Sequence, residues 1–135
     1  MDRYVVVGET VDRVLNEYRE LAARLGMADR VDIGLAPRKT PYCEPFILDE
    51  RHTIVRALAT ACEKVVGRVP PFVCDPSVCD SNYLTVLAGI PTVTFGPSGG
   101  NMHAANEYGL FSEVKAASEI YLHIIEELLT KKKSA

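Results

Sequence analysis

The sequence predicts an α/β fold in two unequal pieces: strand–helix–strand, then helix–strand–helix–strand–helix. Three observations carry this prediction. Several stretches have apolar residues at helical spacing, and short runs rich in β-branched and aromatic residues lie between them. A proline-rich segment, residues 36–45, separates the two pieces. A domain boundary is expected near its end, which gives pieces of residues 1–47 and 48–135.

Length and composition narrow the class of protein. The chain has 135 residues, 47% of them hydrophobic, and a formal net charge of −3. This composition excludes disorder for most of the chain, and the acidic balance argues against a general nucleic-acid binder, which needs a basic face. The widely spaced cysteines predict reduced thiols, and no apolar run approaches the roughly 20 residues of a membrane span. With no signal peptide at the start, a cytoplasmic protein without nucleic-acid or membrane partners is the expectation.

The first piece is predicted to be strand, helix, strand. Residues 3–7 are rich in Val and Tyr, which is typical of a strand. Thr10 is a suitable N-cap for the next helix, and Gly26 is expected to end it. Residues 29–35 alternate between apolar and polar, which indicates a half-buried strand. The apolar positions of the predicted helix are Val11, Val14, Leu15, Tyr18, Leu21, Ala22 and Leu25.

The second piece begins with a helix that Asp49 is expected to cap and Gly67 to end. Two prolines then restart the chain in extended form through residues 72–74.

A short helix over residues 83–88, capped by Ser81 or Asp80, comes next. Residues 90–95 form an apolar run of the kind found in buried strands. The last helix is predicted over residues 112–129, where apolar residues again recur at helical spacing.

The glycine-rich loop after the predicted buried strand is the strongest candidate for a functional site. Ligands in open α/β sheets bind beyond the carboxyl ends of strands, and glycines let backbone N–H groups approach an anion closely. Asn101 adds an amide, and His103 adds an imidazole suited to metal binding or general-base work. Glu107 could orient that imidazole. The other interpretation is a surface loop with an exposed His.

Residues 96–100 also match the letters G-x-S-x-G of a nucleophile elbow. That device needs a helix directly after the Ser. No helical periodicity appears before Ser112, and Pro97 removes a backbone donor. A nucleophilic role for Ser98 is therefore disfavoured.

Three motifs in fixed order resemble the C-terminal part of the M20 metallopeptidases. They are D-S-N-Y at residues 80–83, A-G-I-P-T-V-T-F-G-P at residues 88–97 and H-A-A-N-E-Y at residues 103–108. The family includes acetylornithine deacetylase, succinyl-diaminopimelate desuccinylase, aminoacylase and carboxypeptidase G.

The resemblance extends to the start of the chain, where residues 2–10 are similar to a strand-to-helix join in the family's lid, or dimerisation, domain. It implies that residues 1–47 are the second half of a ferredoxin-like lid. Residues 48–135 would be the C-terminal part of a zinc-peptidase-type α/β/α catalytic domain.

The resemblance implies a metal-dependent amidohydrolase that cleaves N-acyl amino acids or small peptides. A water held between two divalent ions, with a carboxylate to shuttle its proton, is the implied chemistry. Zinc is the expected metal, with cobalt or manganese as alternatives. His103 matches the family's last metal-binding His, and Asp80 and Glu107 are expected to support the ligands. The loop residues expected to approach the substrate are Gly96, Ser98, Gly99, Gly100 and Asn101.

The family's other metal ligands and its catalytic carboxylate have no counterpart in this sequence. In the family they belong to an H-x-D segment, a bridging Asp, a Glu-Glu pair and a further Asp or Glu, all of which precede the matched region. One His cannot hold two metal ions. The sequence therefore predicts a C-terminal fragment, inactive alone, that requires a missing N-terminal half or a homodimer partner. The alternative is a non-catalytic binding or complementation module that keeps only the fold.

Overall fold

The computed structural model describes residues 3–75 and 77–130. Within them lie four α-helices, two short strands, one 3₁₀ turn and one π-helical turn. No described helix has the length and apolar character needed to cross a lipid bilayer. In chain order the elements are α1 (Val11–Arg24), the 3₁₀ turn (Ala28–Arg30), α2 (Thr53–Val66), α3 (Asp80–Asn82), the π-helical turn (Tyr83–Leu87), β1 (Gly99–Gly100), β2 (Tyr108–Gly109) and α4 (Phe111–Thr130).

The chain divides into two compact units. The first unit consists of Met1–Ile47 and Asp75–Gly89, and the second of Leu48–Cys74 and Ile90–Ala135. The first unit is thus discontinuous in sequence, because the segment that contains α3 returns to it. The assignment of residues 1–47 to a lid and of the remainder to a catalytic domain stays a prediction.

Helix α1 begins and ends at the predicted signals. The Thr10 hydroxyl accepts a hydrogen bond from the Arg13 amide at 3.2 Å. Gly26 adopts a left-handed φ of 66° after the helix, and the Met27 amide donates to the Ala22 carbonyl at 2.8 Å. This pattern satisfies the last carbonyls of the helix. The predicted N-cap and stop residue are confirmed.

The α3 segment is hydrogen-bonded to the proline-rich segment of the same unit. Asn82 is buried, and its amide nitrogen donates to the Glu44 carbonyl at 2.9 Å. The Tyr83 hydroxyl donates to the Pro41 carbonyl at 3.1 Å. The prediction of a short helix here is confirmed. Its cap is Cys79, not Ser81 or Asp80, and the Asn82 side chain accepts from the Cys79 amide at 3.1 Å.

Helices α2 and α4 form the core of the second unit. Leu58, Ala61 and Cys62 of α2 pack with Ile120 of α4, and Cys62 and Ile120 are almost fully enclosed. Val93 and Phe95, which lie outside the two helices, also pack against this cluster. Val65 of α2 and Ile124 of α4 complete its partly buried surroundings.

The N-cap of α2 differs from the prediction. His52, not Asp49, caps the helix, and its Nδ1 accepts from the Ile54 amide at 3.3 Å. Asp49 is engaged one turn earlier, where its carboxylate accepts from the Arg51 amide at 2.8 Å and from the Arg51 guanidinium. The predicted end is confirmed, because Gly67 adopts the left-handed conformation with φ 71°.

The segments predicted as strands are not paired into a sheet within the described residues. Residues 3–7, 29–35, 72–74 and 90–95 contain no strand, and a 3₁₀ turn occupies residues 28–30. A strand requires a neighbouring strand to receive its backbone hydrogen bonds, and no such neighbour lies beside these segments in the described chain. The observed mixture of helices with one small sheet is compatible with the α/β class.

The small sheet is an antiparallel hairpin at the glycine-rich loop. Strand β1 pairs with β2 so that Gly99 lies opposite Gly109 and Gly100 opposite Tyr108. A Cβ on Gly99 would collide with the Tyr108 carbonyl oxygen, and one on Gly100 would lie 2.7 Å from the Tyr108 ring. The close approach of the two strands therefore requires glycine at position 99 for steric reasons alone.

Substitution of Gly26 tests the end of α1. Gly26→Ala is expected to lower the free energy of unfolding by about 1 kcal/mol, because a Cβ is disfavoured in the left-handed region. Gly34, in the same unit, has no left-handed φ, and no atom lies within 4 Å of where its Cβ would be. Gly34→Ala should therefore be neutral or slightly stabilising. Urea unfolding monitored by circular dichroism gives the free energy of unfolding of both variants. Equal losses in Gly26→Ala and Gly34→Ala would contradict the prediction.

Substitution of Gly99 tests the hairpin. Gly99→Ala should abolish the cross-strand nuclear Overhauser effects between β1 and β2. The new Cβ would clash with backbone atoms of Tyr108 and Gly109, which cannot move without separating the strands. Gly96→Ala is the matched control, since its Cβ would lie an ordinary 3.8 Å from the Tyr121 hydroxyl. Retention of the cross-strand contacts in Gly99→Ala would show that the strands do not approach this closely.

Candidate functional site

The hairpin places the predicted metal ligand on an exposed tip. Residues 101–107 connect β1 to β2, and the His103 side chain is exposed to solvent. Asn101, His103 and Asn106 all have positive φ, at 57°, 59° and 61°. Asn tolerates this conformation well, whereas His adopts it less readily. The tip is therefore a tightly turned structure with some backbone strain at His103.

Two hydrogen bonds within the tip support this turn. The Ala104 amide donates to the Asn101 carbonyl at 2.9 Å. The Asn101 side-chain amide donates to the Asn106 carbonyl at 3.3 Å. Both the backbone and the side chain of Asn101 thus stabilise the tip. This residue has a structural role in addition to its predicted role in ligand binding.

Ser98, at the base of the hairpin, is held by the first turn of α4. Its amide and its hydroxyl both donate to Oε2 of Glu113, at 2.7 and 2.5 Å. Its carbonyl accepts from the Leu110 amide at 3.1 Å. The hydrogen bond from the Ser98 hydroxyl, then that from its amide and the nearby charge of Arg68, lower the pKa of Glu113 below its usual value. Glu113 is therefore a carboxylate that accepts two hydrogen bonds.

These contacts bear on the proposed alternative of a serine nucleophile. A strand, β1, follows Ser98, whereas a nucleophile elbow requires a helix at that point. This local structure is therefore consistent with the interpretation that Ser98 is not a nucleophile.

The other predicted site residues are distributed as follows. Glu107 lies at the end of the tip, and no hydrogen bond joins it to His103 in the described part of the chain. Asp80 is the first residue of α3 and belongs to the first unit, whereas the hairpin belongs to the second. The sequence motifs thus contribute to both units.

The described residues do not form a complete metal centre. Across residues 3–75 and 77–130, no group of three or more His, Cys, Asp or Glu side chains could hold a metal ion. Protein sites for zinc use at least three side-chain ligands. Among the described residues, His103 can therefore supply only one ligand of the two-metal site that the motif resemblance implies.

Glu113 is the residue at this site that sequence reasoning missed. It is an acidic residue in the first turn of the predicted last helix, a position where a carboxylate commonly interacts with the helix dipole. Its actual partner, Ser98, is 15 residues away along the chain. No local pattern connects the two positions, so the contact emerges only from the fold.

Two curated relatives resemble most of this chain. The succinyl-diaminopimelate desuccinylase of Hahella chejuensis is 33% identical over 88 residues, which cover 65% of this chain and 22% of that protein. The succinyl-diaminopimelate desuccinylase of Sulfurimonas denitrificans is 27% identical over 95 residues, which cover 70% of this chain and 26% of that protein. The chain thus spans about a quarter of the length of the curated relatives it matches. No solved structure matches the chain.

A protein-family model matches residues 8–127, nearly the whole of the described chain. The match includes α1, α2, the complete hairpin and most of α4. The family is described as peptidase family M20/M25/M40. The resemblance carried by the motifs between residues 80 and 108 is therefore confirmed, and the chain belongs to peptidase family M20/M25/M40.

Proposed function

We propose that this chain supplies part of the active site of a divalent-metal-dependent amidohydrolase. The reaction is cleavage of the amide bond of an N-acyl amino acid or small peptide. The family match over residues 8–127 carries the proposal, because it includes the whole hairpin with His103. The two relatives named as succinyl-diaminopimelate desuccinylases support an N-acyl substrate.

Within this proposal His103 is one metal ligand. Its imidazole is exposed on a tip that is braced by Asn101, so ligands from elsewhere can approach it. Zinc is the first candidate, with cobalt or manganese as alternatives. The other ligands and the catalytic carboxylate would come from polypeptide outside this chain, either a missing N-terminal half or a homodimer partner.

The loop residues have two kinds of role in the proposal. Gly96, Gly99, Gly100 and Asn101 line the side of the site that the substrate approaches. Both donors of Ser98 are occupied by Glu113, so Ser98 contributes by holding the loop in place. Asp80 and Glu107 are proposed to support ligands indirectly.

The second candidate function is a binding or complementation module that has no catalysis of its own. Exposed apolar side chains on α4 favour it, since such surface is usually covered by another polypeptide. The exposed fractions are 83% for Phe111, 55% for Leu122, 53% for Ile125 and 64% for Leu129. The two candidates make different predictions about metal binding once the remainder of a family member is supplied.

The isolated chain is expected to be inactive. Incubation with N-acetyl and N-succinyl amino acids in the presence of Zn²⁺, Co²⁺ or Mn²⁺ should give no hydrolysis above the rate with metal alone. The physical reason is that a lone His cannot hold and polarise a water between metal ions. The Hahella chejuensis desuccinylase serves as the positive control. Metal-dependent turnover that disappears in His103→Ala would contradict this prediction.

A chimera tests the role of His103. The matching residues of this chain replace the aligned segment of the Hahella chejuensis enzyme, and both bound metal and amide hydrolysis are measured. In this chimera His103→Ala should lower activity by roughly 100-fold and reduce the metal content, because a ligand is lost.

Met102→Ala is the matched control in the same chimera, since Met102 is adjacent and 77% exposed. It should leave activity within about twofold. Full activity and full metal content in His103→Ala would rule out the metal role. A folded chimera that binds no metal would favour the binding module instead.

A further inference from the structure

We propose that Glu113 is a positioning residue, which holds Ser98 and thereby sets where the hairpin tip with His103 lies. The importance of the position of the tip rests on the proposed function. The contacts that fix the hairpin do not depend on it.

Ser98 has all three of its polar groups engaged at the base of the hairpin. Its amide and hydroxyl donate to one carboxylate oxygen of Glu113, and its carbonyl accepts from the Leu110 amide. The Glu113 amide in turn donates to the Leu110 carbonyl at 3.0 Å. The residue before β1 and the residue after β2 are thus both connected to the first turn of α4.

The helix that carries Glu113 is packed into the core of the second unit. Ala117 and Ile120 of α4 are 5% and 2% exposed in the core of the unit. The Tyr121 hydroxyl donates to the Phe95 carbonyl at 2.6 Å, and the two rings meet edge-on at 6.0 Å. The segment from Phe95 to Ser98 is therefore attached to α4 at both ends.

The chain beyond Ser98 depends on this attachment. Gly99 and Gly100 follow at once, and glycine imposes little conformational preference of its own. Their direction is set by pairing with β2 and by the fixed position of Ser98. Hydrogen bonds to an ionised carboxylate are stronger than neutral ones, so the charge of Glu113 contributes directly. Loss of that charge should loosen the hairpin before it affects the core.

A simpler role for Glu113 is stabilisation of α4 through the helix dipole. That role predicts a weakened helix with no selective change in the hairpin. The positioning role predicts the reverse: the hydrogen-bonded amides of Ala104 and Leu110 in the hairpin lose protection while Ile120 in the core of α4 keeps it. Site-resolved amide measurements distinguish the two.

The first measurement follows the Ser98 amide proton by nuclear magnetic resonance during an acid titration of the metal-free chain. Because the pKa of Glu113 is lowered, its contribution is present at the ordinary Glu value of 4.5 and above, and is lost as the pH falls through the lowered value. The Ser98 resonance should therefore shift with a midpoint below 4.5. This midpoint should vanish in Glu113→Gln. A Ser98 resonance that titrates identically in the variant would overturn the proposal.

The second measurement is amide hydrogen exchange at neutral pH. Glu113→Gln should accelerate exchange at the hydrogen-bonded amides of Ala104 and Leu110 by about tenfold and leave Ile120 unchanged. Glu119→Gln, an exposed carboxylate on the same helix, is the matched control and should change neither region. Unchanged hairpin exchange, or equal acceleration at Ile120, would overturn the proposal.

Ser98→Ala keeps the proposal testable if Glu113→Gln fails to fold. This variant loses the hydroxyl donor and retains the amide donor, so its hairpin exchange should be faster than in the parent chain, with Ile120 unchanged. No acceleration would count against the proposal. Neither measurement uses a metal or a substrate, so a failure here is distinct from a failure of the chimera to show a role for His103.

Discussion

The packing of α2 against α4 is the interaction on which the second unit depends. Cys62 and Ile120 belong to one cluster that spans this contact, and both are nearly inaccessible to solvent. Burial of such side chains supplies the main favourable free energy of folding. Phe95 packs on the edge of this cluster, so the chain enters the hairpin from a fixed point. The site residues are thus arranged outward from the core: helix, base of the hairpin, then tip.

The helices could be predicted from the sequence because their signals are local. Thr10, Gly26 and Gly67 lie within a few residues of the helix ends that they determine. The error at Asp49 has a local cause too: Arg51 engages its carboxylate, and the adjacent His52 takes over the cap. The strand predictions did not hold for a different reason. A strand must pair with a second segment, and the pattern within residues 90–95 cannot show whether such a segment lies beside it.

The candidate site was partly accessible to the same reasoning. The glycine-rich loop and His103 stood out by composition, and the family motifs indicated them as candidate site residues. The reason for glycine at position 99 could not be seen in the sequence. It depends on the strand register that places the Tyr108 carbonyl next to Gly99. Glu113 was inaccessible for the same reason, since its partner becomes a neighbour only after the hairpin folds back on α4.

The discontinuity of the first unit has a consequence for biosynthesis. Its contacts include residues 75–89, so the unit cannot be completed until the ribosome has also released the intervening Leu48–Cys74. Such non-local closure is slow compared with the formation of an isolated helix. A cut between Ile47 and Leu48 would therefore not liberate two autonomous domains, since it leaves the first half without Asn82 and its hydrogen bond to Glu44. Cleavage at this boundary should therefore destabilise the first unit, although Ile47 itself is exposed.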